Sequence, residues 1–303
     1  MNTEKPSGYK STLKSEDTEE FIDIYFYRPI GYQWALFFKK IGVSPNQITI
    51  ASIFIGMASG ICFYFADFWI NLLGVFFLVW ANSYDSADGQ LARMTNQKSA
   101  LGRILDGACG DFWFASIYIA IVLRLWPQWS FPILITALVA GYSHSKQAAM
   151  GDYFRNIHLL FLKGKNGSEL DNSADLRKKY SGISWTKQPF IKFFELLYLN
   201  YTKGQEKWTP KTQQMLQIIR VQYKGMAPEW FMKEFRHKSK PLLPYTNMLS
   251  FNLRAIVLFI SVLVGIPWIY FAFEISVMNI MLLYMIYKYE KINNHFRKKL
   301  EYS

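Results

Sequence analysis

Charged residues and cysteines are scarce in this sequence of 303 residues. Asp, Glu, Lys and Arg make up 18% of it, whereas soluble globular proteins usually contain about 25%. The two cysteines, Cys62 and Cys109, both lie in apolar runs, which excludes a disulfide framework. Residues 1–20 are polar and lack the apolar core of a cleavable signal peptide. By contrast, 51% of the residues are hydrophobic and 18% are aromatic, which argues against disorder and against an ordinary soluble enzyme.

Six apolar segments predict an all-α integral membrane protein with six transmembrane helices. Each segment is long enough, or nearly so, to cross about 30 Å of hydrocarbon. The mean hydropathy is only +0.04, so these segments must alternate with polar ones. The segments are 45–65, 68–84 with a helical continuation to 93, 104–124, 131–149, 252–271 and 275–289.

The positions of the basic residues predict how these helices are oriented. The formal net charge is +12, and an even number of spans would place 33 of the 34 Lys and Arg residues on one side of the membrane. Only Arg124 would lie on the other side. Because basic residues are enriched in cytoplasmic loops, we predict that both termini are cytoplasmic. Basic charge beside anionic headgroups also accounts for the excess without a nucleic-acid partner.

The chain is accordingly predicted to contain five segments. Residues 1–43 form a cytoplasmic segment in which 18–43 is an interfacial amphipathic helix, or else a soluble helix packed on a cytoplasmic loop. The other four segments are transmembrane helices 1–4 in 44–150, a large cytoplasmic helical insertion in 151–249, helices 5 and 6 in 250–289, and a basic cytoplasmic tail in 290–303.

The insertion is strongly basic. Residues 151–247 hold 17 basic and 8 acidic residues, a net charge of +9. Residues 163–182 are predicted to form a polar, partly mobile link, whereas 188–201 and 211–236 are predicted to be amphipathic helices. The charge predicts binding to anionic headgroups, with Phe190–Tyr201 at the membrane interface.

Four aspartates lie at the predicted cytoplasmic ends of the second and third membrane segments: Asp85, Asp88, Asp106 and Asp111. Asp85 and Asp88 are three residues apart and therefore share one face of a helix. Carboxylates in a small volume repel one another, and bound divalent cations would reverse that repulsion. Oxygen ligands suit Mg²⁺, Mn²⁺ or Ca²⁺, and a carboxylate-held Mg²⁺ commonly binds phosphate. The residues therefore predict metal-assisted phosphoryl transfer; the alternative is a set of interfacial carboxylates that reach water.

A spaced motif contains three of these aspartates. The run Asp85-Ser-Ala-Asp88-Gly89-Gln-Leu-Ala92-Arg93, followed by Gly102 and Asp106, closely resembles the signature of the CDP-alcohol phosphotransferase (CDP-alcohol phosphatidyltransferase) family. That signature reads D-x2-D-G-x2-A-R-x8-G-x3-D-x3-D. The resemblance covers residues 40–125 and leaves 151–247 without a counterpart.

The resemblance implies a membrane enzyme of phospholipid biosynthesis that transfers a phosphoalcohol from a CDP-alcohol to a hydroxyl acceptor and releases CMP. The four aspartates of the motif would hold two Mg²⁺ or Mn²⁺ ions, and here they would be Asp85, Asp88, Asp106 and Asp111. The fourth aspartate is thought to deprotonate the acceptor, so the resemblance makes Asp111 the catalytic residue. The resembled enzymes are usually homodimers, although no residue pattern here indicates a dimer face.

The other motif residues are implied to bind the nucleotide. Gly89, Ala92 and Gly102 would let the cytidine nucleotide approach the helix backbone closely, next to Asp88. Arg93 would balance carboxylate or phosphate charge. The alternative role for the small residues is close helix packing, which is also the role expected of the pair formed by Gly56 and Gly60.

Position 110 is where this sequence departs from the family. The motif places its fourth aspartate four residues after Asp106, but the residue there is Gly110 and the next aspartate is Asp111. In a regular α-helix residue 110 lies about 40° from Asp106 and residue 111 about 140° from it. We therefore predict a π-bulge, eased by Gly107 and Gly110, that turns Asp111 toward the site. The alternative is a three-aspartate site in which the acceptor is activated elsewhere.

The motif leaves the direction of transfer open. CDP-diacylglycerol would donate to a polar alcohol such as an inositol, glycerol or serine derivative, or CDP-ethanolamine or CDP-choline would donate to a lipid alcohol. We favour CDP-diacylglycerol by analogy with microbial members of the family. A cation-coupled transporter or a lipid-binding membrane protein would also use intramembrane carboxylates, but the sequence has no second copy of the aspartate motif.

Overall fold

Helices form the whole of the fold that the structure describes. The computed structural model describes residues 8–9, 15, 17–97, 100–164 and 167–302, without the side chains of residues 100, 101, 103 and 104. No strand occurs within these ranges, which confirms the predicted all-α class.

The helices are numbered in chain order, and α1 is preceded by one π-helical stretch, Asp23–Tyr27. Their bounds are α1 Arg28–Lys40, α2 Pro45–Tyr64, α3 Phe68–Thr95, α4 Ala100–Trp129, α5 Phe131–Lys163, α6 Ser173–Gly182, α7 Pro189–Trp208, α8 Pro210–Gln222, α9 Glu229–Ser239, α10 Leu243–Met248, α11 Phe251–Leu263, α12 Trp268–Ile275 and α13 Val277–Glu301.

Capping residues fix where α2 and α3 begin. Ser44 and Gln47 form a capping box at the start of α2, in which the Ser44 backbone N–H donates to Gln47 Oε1 at 2.9 Å. Asp67 caps α3, and its carboxylate accepts from the backbone N–H of Ile70 at 2.9 Å. α3 ends at Thr95 and is followed by the C-cap residue Asn96, whose φ is 54°. The helix extends past residue 84, which confirms the predicted continuation.

Four helical stretches within the described ranges are long and apolar enough to cross a membrane: Pro45–Tyr64, Leu105–Trp129, Glu229–Leu263 and Trp268–Glu301. They overlap the first, third, fifth and sixth predicted segments. A multi-pass membrane protein accounts for these apolar stretches, while the full set of six spans stays a prediction.

The predicted fifth segment, 252–271, is wrong as a single helix. α11 ends at Leu263, Gly265 has a φ of 81°, and α12 begins at Trp268 after Pro267. Gly265 adopts a left-handed conformation that other residues rarely take, and Pro267 lacks the backbone N–H that a continuing helix needs. The break separates the apolar helical stretch Glu229–Leu263 from the stretch Trp268–Glu301.

The chain divides into two compact units. The first unit comprises Met1–His144 and Asn252–Ile275, and the second comprises Ser145–Phe251 and Ser276–Ser303. All four aspartates considered above belong to the first unit. The five predicted segments were defined by their position relative to the membrane, and that division stays a prediction.

Close contact between α2 and α4 organises the first unit. A Cβ atom at Gly56 would lie 2.1 Å from Cδ1 of Trp113, and one at Gly60 would lie 2.2 Å from Oγ of Ser116. The Trp113 indole N–H donates to the backbone oxygen of Ser52 at 2.9 Å, which ties the two helices together. The Gly56 and Gly60 pair therefore has the packing role expected of it.

α1 lies along α3, also through small residues. A Cβ atom at Gly31 would lie 2.8 Å from Oγ of Ser86, and Gln90 Nε2 donates to the backbone oxygen of Arg28 at 3.0 Å. The aromatic rings of Phe21 and Phe37 on the predicted interfacial segment are exposed. The segment thus packs on the first unit and presents aromatic side chains outward, where headgroup contact stays a prediction.

In the second unit, α8 packs against α13. The Glu290 carboxylate accepts from the backbone N–H groups of Lys211 and Thr212, at 2.7 and 3.0 Å, and so caps the start of α8. The insertion is helical, but the predicted single helix over 211–236 is wrong, because the chain is divided there into α8 and α9 by a turn in which Gly225 has a φ of 81°. Its segment 163–182 is not a simple link, however, because α6 occupies Ser173–Gly182 and Asn172 caps it by accepting from the Asp175 N–H at 2.9 Å.

Gly60→Ala should destabilise the protein. The new methyl group would lie 2.7 Å from the backbone carbonyl carbon of Ser116, so α2 and α4 would have to separate, at a cost of about 1–3 kcal/mol. Gly107→Ala is the matched control, because a Cβ there meets nothing within 4 Å and helix propensity favours alanine by about 1 kcal/mol. Thermal unfolding in detergent should show a lower midpoint for Gly60→Ala alone. Equal midpoints would contradict the packing role.

Candidate active site

Three carboxylates meet where the C-terminal part of α3 lies near the start of α4. Asp85 and Asp88 come from α3 and Asp106 from α4, and each offers an oxygen atom so that all three atoms lie within 4.8 Å of one another. Asp88 is only 4% exposed, Asp85 is half-buried and Asp106 is exposed. The sequence prediction that these residues come together is therefore matched by the geometry.

The start of α2 positions the most deeply buried of these carboxylates. The Thr49 hydroxyl donates a hydrogen bond to the carboxylate of Asp88, and both side chains are buried. Thr49 lies about one helical turn after the capping box at Ser44 and Gln47. The capped start of α2 therefore fixes the position of this hydroxyl along the helix axis. Thr49 lies outside the aspartate motif, so the sequence did not predict this bond.

Cys109 is a second contact that sequence reasoning missed. The side chain is fully buried, and its sulfur lies 3.2 Å from Oγ of Ser52. Asp85 is a further hydrogen-bonding partner of this thiol. Cys109 follows Asp106 by three residues, about one helical turn, and that spacing could have placed it beside the carboxylates.

The carboxylate set fits a divalent cation. Three carboxylates whose oxygens approach this closely repel one another unless positive charge lies among them. An all-oxygen donor set suits Mg²⁺ or Mn²⁺.

Arg93 brings unused hydrogen-bond donors to the same region. Its Nε and Nη2 atoms are buried and have no hydrogen-bonding partner in the described part of the chain. The charges that act on it are those of Arg28, Glu19, Asp106 and Asp88. Glu19 is already held by Arg28 through two hydrogen bonds of 2.9 and 3.1 Å. A guanidinium with free N–H groups beside carboxylates suits the oxygens of a phosphate.

The small residues of the motif leave room around this guanidinium. A Cβ atom at Gly89 would lie 3.3 Å from Nη1 of Arg93, so a larger side chain would press on it. Gly89, Ala92 and Gly102 are all partly buried. Their expected contact with a nucleotide stays a prediction.

The π-bulge predicted before Asp111 is wrong. α4 is α-helical without interruption from Ala100 to Trp129. In such a helix Asp111 points about 140° away from Asp106. Asp111 is accordingly exposed and lies outside the group formed by the other three aspartates. Its expected role as the fourth ligand and catalytic base stays a prediction, and this geometry favours the alternative of a three-aspartate site.

The structure leaves unoccupied space at position 110, where the family motif has its fourth aspartate. A Cβ atom at Gly110 would meet nothing within 4 Å, and the same is true of Gly107. Residue 110 is the one that a regular helix brings near Asp106, about 40° around the axis. The fold therefore has space for an aspartate where the family motif has one, although this chain has a glycine there.

A buried ionic cluster lies elsewhere in the first unit. Arg254 is 1% exposed and its Nη1 lies 3.2 Å from Oε1 of Glu274, which is fully buried. His144 lies 3.7 Å from the same carboxylate oxygen and 3.4 Å from the Tyr118 hydroxyl. Glu274 lies in an otherwise apolar run, which was the available signal.

The comparisons with known proteins agree with this geometry. Residues 42–146, which include all three clustered aspartates, match the family model of CDP-alcohol phosphatidyltransferase. The match shows that this segment is similar to that family. No solved structure matches the chain.

Three curated relatives are similar to parts of this chain. A bifunctional IPC transferase and DIPP synthase of Aquifex aeolicus is 27% identical over 49% of this chain and 35% of its own. An archaetidylinositol phosphate synthase of Pyrococcus horikoshii is 30% identical over 37% of this chain and 59% of its own. Cholinephosphotransferase 1 of Mus musculus is 30% identical over 33% of this chain and 28% of its own. The chain thus spans between 28% and 59% of the length of these relatives.

Thr49→Val should weaken divalent-metal binding. The substitution keeps the shape of the side chain but removes the hydroxyl that donates to Asp88. Loss of such a supporting hydrogen bond typically costs about 10–100-fold in metal affinity or activity. Thr49→Ser is the control, since it keeps the donor. Mn²⁺ titration of the purified protein, followed by electron paramagnetic resonance, should separate the two variants. Equal Mn²⁺ affinity would show that the hydroxyl does not support the site.

Proposed function

We propose that the chain is a membrane CDP-alcohol phosphotransferase of phospholipid biosynthesis, which passes a phosphoalcohol from a CDP-alcohol to a hydroxyl acceptor and releases CMP. The observation that carries the proposal is the carboxylate cluster of Asp85, Asp88 and Asp106 inside the segment that matches the family. The unused donors of Arg93 beside that cluster support it.

Asp85, Asp88 and Asp106 would hold Mg²⁺ or Mn²⁺, with two ions as the family resemblance implies. When bound, the cations neutralise charge on the pyrophosphate and on the departing CMP. Thr49 keeps the Asp88 carboxylate oriented by donating to it. Arg93 donates N–H groups to phosphate oxygens and so holds the donor against α3. Gly89, Ala92 and Gly102 allow the nucleotide to approach the helix backbone.

The transfer itself is a displacement at phosphorus. The acceptor hydroxyl oxygen forms a bond to the phosphorus that carries the alcohol, and the bond from that phosphorus to the oxygen of CMP breaks. The leaving CMP takes the electron pair, and the proton of the hydroxyl passes to a base. Asp111 is not proposed for this base, because it lies outside the carboxylate group. We propose a three-aspartate site in which another group accepts the proton.

The donor is proposed to be CDP-diacylglycerol, with a polar alcohol as the acceptor. The names of the relatives include both an archaetidylinositol phosphate synthase and a cholinephosphotransferase. A CDP-ethanolamine or CDP-choline donor with a lipid alcohol acceptor is therefore the second candidate. In either case one substrate is a lipid, which fits the apolar helices around the site.

We further propose six transmembrane spans with the active site and both termini in the cytoplasm. The support is the distribution of charge, since 33 of the 34 Lys and Arg residues would then share one side. Arg124 would be the exception, and its guanidinium donates to the backbone oxygen of Phe63 at 3.2 Å and to Asn71 Oδ1 at 3.3 Å. These contacts provide hydrogen-bonding partners within the protein for Arg124, which would lie on the opposite side of the membrane.

CMP release by the purified protein is the decisive test. We expect release from CDP-diacylglycerol in the presence of an inositol, glycerol or serine derivative, and none without an acceptor. Activity should vanish in excess chelator and return with Mg²⁺ or Mn²⁺. Release from CDP-choline or CDP-ethanolamine with diacylglycerol would instead select the second candidate. The absence of CMP from every donor and acceptor pair would overturn the proposal.

Substitution of the aspartates should separate the cluster from Asp111. Asp88→Asn and Asp106→Asn should each lower CMP release by more than about 100-fold, because each removes a charged ligand. Asp111→Asn changes an exposed carboxylate on the same helix as Asp106 and should keep most of the activity. If Asp111→Asn were as damaging as Asp106→Asn, the three-aspartate site would be incorrect.

A further inference from the structure

Helix α7 of the second unit exposes a stripe of large apolar side chains. The relative exposure is 78% for Phe190, 48% for Phe193 and 49% for Leu197. These residues follow one another at intervals of three and four, so they lie on one face of the helix. We call this set the α7 stripe. Large apolar side chains exposed together on one face mark an interaction surface.

The other face of α7 is already packed. Leu199 and Thr202 are buried, and the buried Glu195 carboxylate forms an ion pair with Lys179 of α6. The helix is therefore anchored within the second unit through a different face from the stripe. The stripe is exposed because α7 packs within the second unit through the face that carries Leu199 and Thr202.

The exposed face changes from apolar to polar and basic along the helix. Continuing from Leu197 at intervals of three and four, the same face passes through Asn200 and Gly204 to Lys207. Lys203 lies one turn before Lys207 and lines a cavity between α6 and α7. The other residues that line it are Ser173, Ala174, Arg177, Lys178 and Ser181. The apolar stripe is thus followed by two lysines, Lys203 and Lys207, near the end of the helix.

The turn before α7 adds an aromatic side chain held by a lysine. The ammonium of Lys192 lies 4.7 Å from the ring centre of Tyr180 and 5.6 Å from that of Trp185. It also donates to the backbone oxygen of Ile183 at 2.6 Å. Trp185 is thereby fixed with about half of its surface exposed, close in sequence to Phe190. Tryptophan beside lysine is the pairing found at membrane–water interfaces.

The nearby acidic groups do not cancel this basic charge. Glu195 is paired with Lys179, and the Glu206 carboxylate accepts from both the backbone N–H and the hydroxyl of Ser173. Across 151–247 there are 17 basic residues against 8 acidic ones. A partner for this surface must therefore offer negative charge and an apolar region that the stripe can enter. Protein interfaces are depleted of lysine in their centres, which favours a lipid surface over a protein partner.

We propose that α7 is a membrane-docking helix, in which Phe190, Phe193 and Leu197 enter the headgroup region of a bilayer containing anionic lipid. Lys203 and Lys207 bind lipid phosphates where the helix leaves the surface. The proposal concerns the second unit and does not depend on the catalytic activity proposed for the first.

Labels on the full chain in nanodiscs test this placement. Cys62 and Cys109 are buried, so a cysteine introduced at Phe193 or Leu197 can be labelled selectively with an environment-sensitive fluorophore. Val221→Cys on α8 is the matched control, because this apolar residue is 69% exposed and lies outside the stripe. The nanodiscs contain phosphatidylcholine with or without phosphatidylglycerol. Each label is challenged with iodide in water and with a spin label carried on a lipid chain.

In discs with phosphatidylglycerol, we expect the labels at 193 and 197 to be blue-shifted, quenched by the lipid-borne spin label and protected from iodide. The label at 221 should be quenched by iodide alone. Iodide quenching at all three positions would overturn the proposal. Protection from both quenchers at 193 would also overturn it, and would indicate that a second copy of the chain or another protein covers the stripe.

Charge variants test the second half of the proposal. Lys203→Gln and Lys207→Gln should each lower the docking equilibrium about fivefold, which corresponds to the contribution of one lysine near an anionic surface. Lys233→Gln removes an exposed lysine from α9 and should have no effect. Thermal unfolding of each variant checks that the fold is intact. Docking that is equally strong without phosphatidylglycerol, or after both substitutions, would refute the role of the lysines.

Discussion

Mutual repulsion among Asp85, Asp88 and Asp106 is the constraint around which the first unit is arranged. Oxygen atoms of all three lie within 4.8 Å of one another, and one of the carboxylates is almost completely buried. Such a group is unfavourable unless hydrogen bonds and positive charge offset the repulsion. The Thr49 hydroxyl supplies one hydrogen bond, and the proposed cations would supply the charge. The geometry also requires α2, α3 and α4 to stay close, since the partners come from all three helices.

Glycine serves two different purposes in these helices. On α2, Gly56 and Gly60 allow Trp113 and Ser116 of α4 to approach so closely that even a methyl group would collide. On α4, Gly107 and Gly110 face open space, and packing does not require them. A list of small residues in the sequence does not separate these purposes, because the difference lies in what the neighbouring helix places opposite each one. The open positions lie beside the carboxylate cluster, where a substrate would need room.

The sequence was sufficient for features that depend on short spacing. The positions of Asp85 and Asp88 follow from helix geometry, and the spacing of the motif extends this to Asp106. The predicted bulge at Asp111 failed because one extra residue can either distort a helix or rotate the next side chain away. α4 keeps its regular hydrogen bonds, and Asp111 is rotated outward. Sequence spacing does not decide between a bulge and a rotated side chain, because the choice depends on the conformational energy of the backbone in each case.

Features that depend on distant residues were beyond sequence reasoning. The bond from Thr49 to Asp88 joins residues 39 positions apart, and it depends on how α2 lies against α3. The break between α11 and α12 was signalled by Gly265 and Pro267, but the apolar composition on both sides predicted one continuous helix. The location of the second unit relative to a membrane likewise stays a prediction, because it depends on lipid as well as on protein.

The buried pair of Arg254 and Glu274 limits how this chain can evolve. Removing one partner of a buried ion pair costs about 3–5 kcal/mol, whereas replacing both by apolar residues of similar size is often neutral or stabilising. A substitution at either position alone would therefore leave an uncompensated charge in the interior of the protein. The two residues are 20 positions apart in the chain, yet they are expected to be inherited, or lost, together.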